Sequence, residues 1–126
     1  MRPLAKNEVA RSPGMKYRHY APKGSLTIVE GEETAAAGRI IELYDAFEGE
    51  KRVFAMEAHL PLYGGRNVVS LGKDKKEAAH RLFALLREMD DLGVQAIFSE
   101  AVDETDIGLA VMNRMGRAAA FNIIKV

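Results

Sequence analysis

Cysteine is absent from this chain of 126 residues. Disulfide bonds, thiolate catalysis and cysteine-type zinc sites are therefore excluded, and the composition suits a reducing compartment, so we expect a cytoplasmic protein. No run of 18 apolar residues occurs, and the N-terminus has no apolar stretch long enough for a secretory signal. Membrane insertion is not expected.

Net charge is also absent, because 18 lysines and arginines balance 18 acidic residues. This balance hides an asymmetry along the chain. Residues 1–23 carry six basic residues against the lone acid Glu8, which leaves twelve basic and seventeen acidic residues in the remainder. A positive arm of this kind can bind phosphates or lie on the acidic surface of its own domain.

The hydrophobic pattern from residue 25 onward alternates between strand-like and helix-like segments. Short apolar runs predict strands over residues 26–29, 52–56, 67–71, 94–98 and 121–126. Apolar steps of three and four predict helices over residues 32–47, from Asp74 to near Gly93, and over residues 109–120, with a loop over residues 59–66. Parallel neighbours need crossover connections, so this alternation favours a mainly parallel sheet covered on both faces. We predict an α/β fold: a small Rossmann-like three-layer domain of about five strands over residues 25–126, preceded by an extended basic linker arm over residues 1–24.

A Rossmann-like pattern raises the possibility of nucleotide binding, but the first strand-to-helix turn has unsuitable chemistry. Residues 30–33 contain three glutamates, which a helix N-terminus tolerates but which would repel a pyrophosphate. The turn over residues 71–74 can offer Lys73 to an anion. However, Asp74 and Glu77 have the spacing of an N-cap and its partner, which favours helix capping instead.

The histidines give no metal-ligand pattern. His59 and His80 stand far apart in sequence, and His80 lies between apolar positions of a helix, where we interpret it as a boundary residue. No Ser-His-Asp arrangement can be inferred from spacing. The sequence therefore predicts no metal site, and its spacing identifies no catalytic triad.

The last helix carries three polar residues beside an apolar stripe. The stripe that we expect to face the sheet consists of Ile107, Val111, Met115 and Ala118. The polar residues are Asn113, Arg114 and Arg117. They are either solvated or available for docking against another domain or for contact with an anion.

Residues 12–22, SPGMKYRHYAP, differ in kind from the rest of the chain. Pro13 and Pro22 discourage helix and central strand, and Gly14 permits a bend. The segment contains two bases, an imidazole and two phenols: Lys16, Arg18, His19, Tyr17 and Tyr20. These groups can hold phosphate or carboxylate oxygens and stack on rings. From the residues alone, the segment is a flexible basic tail, a nucleic-acid arm or a segment that serves a binding site.

This segment resembles the linker motif of the long form of threonylcarbamoyl-AMP synthase, the YrdC-related enzymes that begin threonylcarbamoyladenosine synthesis in tRNA. Later stretches resemble the C-terminal domain of that family. They are residues 78–83, 86–90 and 108–114, together with Gly93, Ile97 and Glu100.

The resemblance implies a role beside a catalytic domain. In that family an N-terminal YrdC-type domain joins L-threonine, bicarbonate and ATP, with magnesium, into threonylcarbamoyl-AMP and pyrophosphate, and the linker folds back over its active site. By this resemblance the linker side chains that approach the nucleotide and carbonate-derived groups are Lys16, Tyr17, Arg18 and His19. The residues that shape the linker are Pro13, Gly14 and Pro22.

The resemblance also implies that the catalytic domain would precede residue 1. We therefore expect that this chain alone neither catalyses nor binds a cofactor, and that its partner is a YrdC-type domain in cis or in trans. The leading hypothesis is an accessory domain whose arm forms a lid that excludes water from a labile carbamoyl adenylate. The alternatives are a regulatory domain that binds a small ligand or nucleotide at the carboxyl ends of its strands, and an RNA-binding module with an indirect link to tRNA.

Overall fold

Residues 22–126 are described by the computed structural model, and in this range strands alternate with helices. The elements are β1 Ser25–Glu30, α1 Glu33–Ala46, β2 Lys51–Ala55, a 3₁₀ helix Glu57–Tyr63, β3 Val68–Ser70, α2 Lys75–Asp91, β4 Ala96–Glu100, α3 Ile107–Ala118 and β5 Ile123–Lys125.

The five described strands form one sheet in the order β3-β2-β4-β1-β5, and all pairs are parallel. The predicted α/β three-layer architecture with about five strands is confirmed. The order differs from that of the dinucleotide-binding fold, which keeps β1 beside β2. Here β4 lies between them, so residues 96–100 pair with β1 on one side and with β2 on the other.

Two hydrophobic clusters cover the two faces of the sheet. On one face α1 and the 3₁₀ helix bury side chains such as Ile40 and Tyr63 against β2 and β4. On the other face α2 and α3 bury a larger set that includes Leu82, Leu86 and Met115. Burial of these apolar stripes holds the three layers together. None of the helices in residues 22–126 has both the length and the apolar character that a membrane crossing requires.

Two predicted boundaries in the middle of the chain are wrong. Strand β4 begins at Ala96, two residues later than predicted, because Gln95 and Ala96 donate their N–H groups to the Glu50 carbonyl in the connecting turn. The predicted loop over residues 59–66 is largely a 3₁₀ helix that includes Pro61. Its helical turns bury Tyr63, which the sequence pattern does not show because the segment lacks a regular apolar period.

The predicted stripe of α3 is correct for three of its four residues. Val111, Met115 and Ala118 are buried, whereas Ile107 is 43% exposed. Ile107 is the first residue of α3, and the chain enters the helix there from an exposed turn. The stripe therefore meets the core only from the second turn of the helix onward.

Two close contacts, at Lys23 and at Gly24, hold the chain directly before β1. The Lys23 N–H donates to Asp90 Oδ1 at 2.8 Å, at the C-terminal end of α2. A Cβ atom on Gly24 would lie 2.5 Å from the Val94 carbonyl oxygen and 2.8 Å from that of Gln95, so this position needs glycine. These contacts fix Lys23 and Gly24 against the end of α2 and the residues just before β4.

Candidate functional site: an acidic cleft at the carboxyl edge of the sheet

A cleft of about 560 Å³ opens where β1, β2 and β4 end. The connections that follow β1 and β2 lie on one face of the sheet, and the connection that follows β4 lies on the other. Such a divergence leaves a crevice at the carboxyl ends of the strands, which is where open α/β sheets bind ligands. The lining residues are Glu30, Gly31, Met56, His59, Asp74, Lys75 and residues 101–104.

Glu100, the last residue of β4, is a buried carboxylate beside this cleft. It is 5% exposed. Its Oε1 accepts the backbone N–H of Met56 at 3.0 Å and lies 2.8 Å from Nδ1 of His59. Its Oε2 accepts the Tyr63 hydroxyl at 2.6 Å. Three donors therefore offset the cost of removing this carboxylate from water.

His59 joins Glu100 to the start of α1. Its Nε2 lies 3.2 Å from Oε1 of Glu33, while its Nδ1 faces Glu100. The hydrogen bond to Glu100 raises the pKa of His59 above its ordinary value, and the charges of Glu100 and Glu33 act in the same direction against the opposing effect of burial. The imidazolium form is therefore favoured at this position.

Tyr63 remains a hydrogen-bond donor at the bottom of this group. Burial raises the pKa of its phenol, and the hydrogen bond to Glu100 adds to that effect. The phenol therefore keeps its proton across the physiological range and donates it to the carboxylate.

The mouth of the cleft is dominated by negative charge. Lys75 is the one lysine among the described residues that line the cleft, and its Nζ donates to Thr105 Oγ1 at 2.6 Å and lies 3.4 Å from Asp103 Oδ1. Hydrogen bonds from Thr105 lower the pKa of Asp103, so that carboxylate stays ionised. Within residues 22–126, no group of three or more histidine, aspartate or glutamate side chains is arranged to hold a metal ion. The field in the cleft opposes phosphate and favours positively charged groups.

The helix N-termini beside the cleft are capped by the protein itself. The carboxylate of Glu32 accepts the N–H groups of Thr34 and Ala35, both at 3.0 Å, and these bonds lower its pKa. The predicted capping by Asp74 is confirmed, since its Oδ1 accepts the Glu77 N–H at 2.9 Å. The amides of Thr34, Ala35 and Glu77 are therefore engaged by the protein's own carboxylates rather than open to a pyrophosphate.

The predicted arm residues fall mostly outside the structure. Those outside the described residues are Pro13, Gly14, Lys16, Tyr17, Arg18 and His19. Pro22 is the first described residue; it is half-buried and belongs to no helix or strand. The roles given to this segment stay predictions.

The polar residues of α3 lie away from the cleft. Asn113 and Arg117 are exposed, Arg114 is half-buried, and none of them lines the cleft. Their use as docking or anion-contacting residues stays a prediction.

Sequence reasoning missed the group formed by His59, Glu100, Tyr63 and Glu33. These residues come from the 3₁₀ helix, β4 and α1, so no local spacing connects them. One signal was available: Glu100 stands two residues after the apolar run that ends at Phe98, at the edge where parallel strands present polar groups. His59 has two carboxylate partners, Glu33 and Glu100.

Comparison with known proteins identifies the family. Residues 2–120 match the family described as "Threonylcarbamoyl-AMP synthase, C-terminal domain". The chain is 42% identical over 120 residues to the threonylcarbamoyl-AMP synthase of Pyrococcus abyssi, covering 94% of this chain and 35% of that protein. It is 35% identical over 121 residues to the threonylcarbamoyl-AMP synthase of Bacillus subtilis, with the same coverage of each chain.

Solved structures agree with this assignment. The fold matches the crystal structure of P. abyssi Sua5 complexed with L-threonine with a TM-score of 0.77 and 40% identity, covering 94% of this chain and 35% of that one. The C-terminal Sua5 domain from Pyrococcus horikoshii matches with a TM-score of 0.63 and 34% identity, covering 84% of this chain and the whole of that one. The chain thus spans about a third of the length of the curated relatives it matches. It belongs to the family of threonylcarbamoyl-AMP synthase C-terminal domains.

Proposed function

We propose that this chain is the accessory C-terminal domain and active-site-covering linker of a threonylcarbamoyl-AMP synthase. The observation that carries the proposal is the family match over residues 2–120, which includes the whole of segment 12–22. The partner is a YrdC-type catalytic domain, which corresponds to the larger part of the relatives that this chain does not match. In this proposal ATP, L-threonine, bicarbonate and magnesium bind the partner domain in the cytoplasm. The link to tRNA is indirect, through the threonylcarbamoyl-AMP that the enzyme makes.

The folded body gives the arm a fixed base. Lys23 and Gly24 hold its C-terminal end against α2 and the start of β4. In the proposed lid, Lys16 and Arg18 pair with phosphate and carboxylate oxygens of the intermediate, while Tyr17 shields it from water. Anchoring reduces the conformational entropy that the lid loses on closure.

The lid is tested by adding this chain to a matching YrdC-type domain. We expect slower hydrolysis of threonylcarbamoyl-AMP or faster turnover, because a closed lid excludes water and holds charge. Arg18→Ala should abolish the gain. Arg11→Ala removes an equal charge just outside segment 12–22 and should retain it. Product accumulation measured by chromatography separates the two variants. If the chain changes neither rate, or if both variants behave alike, the proposal is wrong.

The cleft favours a second function, the binding of a small ligand by the body. Its position at the divergence of β1 and β4 is where such folds bind ligands, and its acidic lining selects a cationic ligand over a nucleotide. Spermidine serves as a cationic probe in calorimetry, against ATP and AMP as anionic probes. We expect a heat of binding with spermidine but not with ATP or AMP. Glu104→Gln should bind spermidine roughly three-fold more weakly than the distant control Glu48→Gln does. Heat with ATP, or equal weakening by both variants, would reject this function.

A further inference from the structure

The two contacts of His59 fix the protonation state of its ring. Nδ1 faces Oε1 of Glu100 at 2.8 Å, and Nε2 faces Oε1 of Glu33 at 3.2 Å. An ionised carboxylate only accepts hydrogen bonds, so each ring nitrogen must donate a proton. Neutral imidazole has a single N–H group and satisfies one of these contacts at most. The bridge therefore exists in the imidazolium form.

The two carboxylates hold the ring with unequal strength. The side chain of Glu100 is 7% exposed and has two further donors, from Met56 and Tyr63, so it cannot turn away. The side chain of Glu33 is 60% exposed and is free to move into water. Loss of one proton from His59 should therefore leave Nδ1–H on Glu100 and release Glu33.

The bridge stands between the cleft and a second, smaller cavity. This cavity has a volume of about 70 Å³. It is lined by Glu33 and Glu100, and it shares Gly31, His59 and Ala101 with the cleft. His59 thus lines both spaces, whereas its partner Glu33 lines the small cavity but is not among the residues that line the cleft. We propose that His59 is a pH-dependent latch that ties the first turn of α1 to the 3₁₀ helix and closes the small cavity from the cleft.

The surrounding charges favour the closed latch. The bridge is formed by His59 with Glu33 of α1 and Glu100 of β4, and the neutral Tyr63 donates to Glu100. The further charged residues that line the adjoining cleft are Glu30, Asp74, Lys75, Asp103 and Glu104. Among the described residues that line the cleft, four acids accompany one lysine, which is paired with Asp103, while Lys125 lies 3.9 Å from Glu30. Negative surroundings stabilise the imidazolium, in agreement with the raised pKa of His59.

The sign of the pH dependence follows from this shift. A histidine whose pKa is raised on folding contributes its full stabilisation below its ordinary value of 6.5 and loses it as the pH rises through the raised value. The latch is therefore closed at mildly acidic pH and opens toward alkaline pH.

NMR titration of this chain from about pH 5 to about pH 9 tests the latch. We expect the ¹⁵N shifts of the His59 ring to show two protonated nitrogens at low pH and an Nδ1–H tautomer at high pH, with a midpoint above 6.5. The amides of residues 34–37 should shift with the same midpoint. In Glu33→Ala, the titration midpoint of the His59 ring should fall. The amides of residues 34–37 should no longer shift with that midpoint, whereas the Met56 amide should still shift with it.

Glu42→Ala is the matched control, since Glu42 also lies on α1 and pairs with Arg39 rather than with His59. It should leave the His59 midpoint and the coupled amide shifts unchanged. The latch is refuted if the α1 amides do not follow the His59 ring, or if their titration survives Glu33→Ala.

Discussion

Replacing Glu100 with alanine is expected to lower the free energy of unfolding by about 3–5 kcal/mol. The side chain is 7% exposed and accepts hydrogen bonds from three residues in or directly before the 3₁₀ helix, namely Met56, His59 and Tyr63. Alanine leaves the half-buried Met56 N–H and the fully buried Tyr63 hydroxyl without this acceptor, and it removes the partner of the His59 imidazolium. A buried polar group that loses its partner carries its full desolvation cost.

Denaturant unfolding measures this loss of stability, and two further variants serve as comparisons. Tyr63→Phe removes one donor to the carboxylate and should cost about 1.5–3 kcal/mol, the range for a hydrogen bond to a charged group. Glu104→Ala removes an exposed carboxylate from the same cleft and should change stability by less than about 0.5 kcal/mol. A cost below about 1 kcal/mol for Glu100→Ala would show that the buried network does not support the fold.

Replacing Gly24 with alanine should destabilise the chain by about 1–3 kcal/mol and loosen the base of the arm. The new Cβ would meet the carbonyl oxygens of Val94 and Gln95 at 2.5 and 2.8 Å. Both are backbone atoms of residues just before β4, so no flexible side chain can relieve the contact. Residue 24 must move outward, which weakens the bond from the Lys23 N–H to Asp90 and displaces the exit of the arm.

Gly38→Ala is the matched control for that variant. Gly38 lies in the exposed face of α1, and no atom lies within 4 Å of a Cβ placed there. Alanine should stabilise this helix by about 0.5–1 kcal/mol. Thermal unfolding compares the two, and the NMR signal of the Lys23 amide reports on the bond to Asp90. Gly24→Ala with unchanged stability and an unchanged Lys23 amide would contradict this reading of the contact.

Much of the fold follows from local sequence. The β-branched run at residues 26–29 and the apolar stripe of α2 each specify an element through a period that the element itself imposes. Capping by Asp74 was predictable because the cap and its partner are three residues apart. Alternation of strand and helix then required parallel pairing, which the sheet shows.

The strand order and the cleft did not follow, because both depend on contacts between distant parts of the chain. Insertion of β4 between β1 and β2 brings Glu100 beside His59, 41 residues away in sequence. The shift of β4 by two residues arises from the Glu50 carbonyl, which belongs to another connection. Such long-range pairings leave no periodic trace in the residues that make them.

The base of the arm and the acidic cleft occupy opposite ends of β1. Strand β1 runs from Ser25 to Glu30 and separates them by roughly 17 Å of extended backbone. A molecule held in the cleft therefore does not compete for space with whatever the arm contacts near its base. Both surfaces can be occupied at once, and β1 and α2 each span the distance between them. The domain therefore presents two separate surfaces, one at each end of β1.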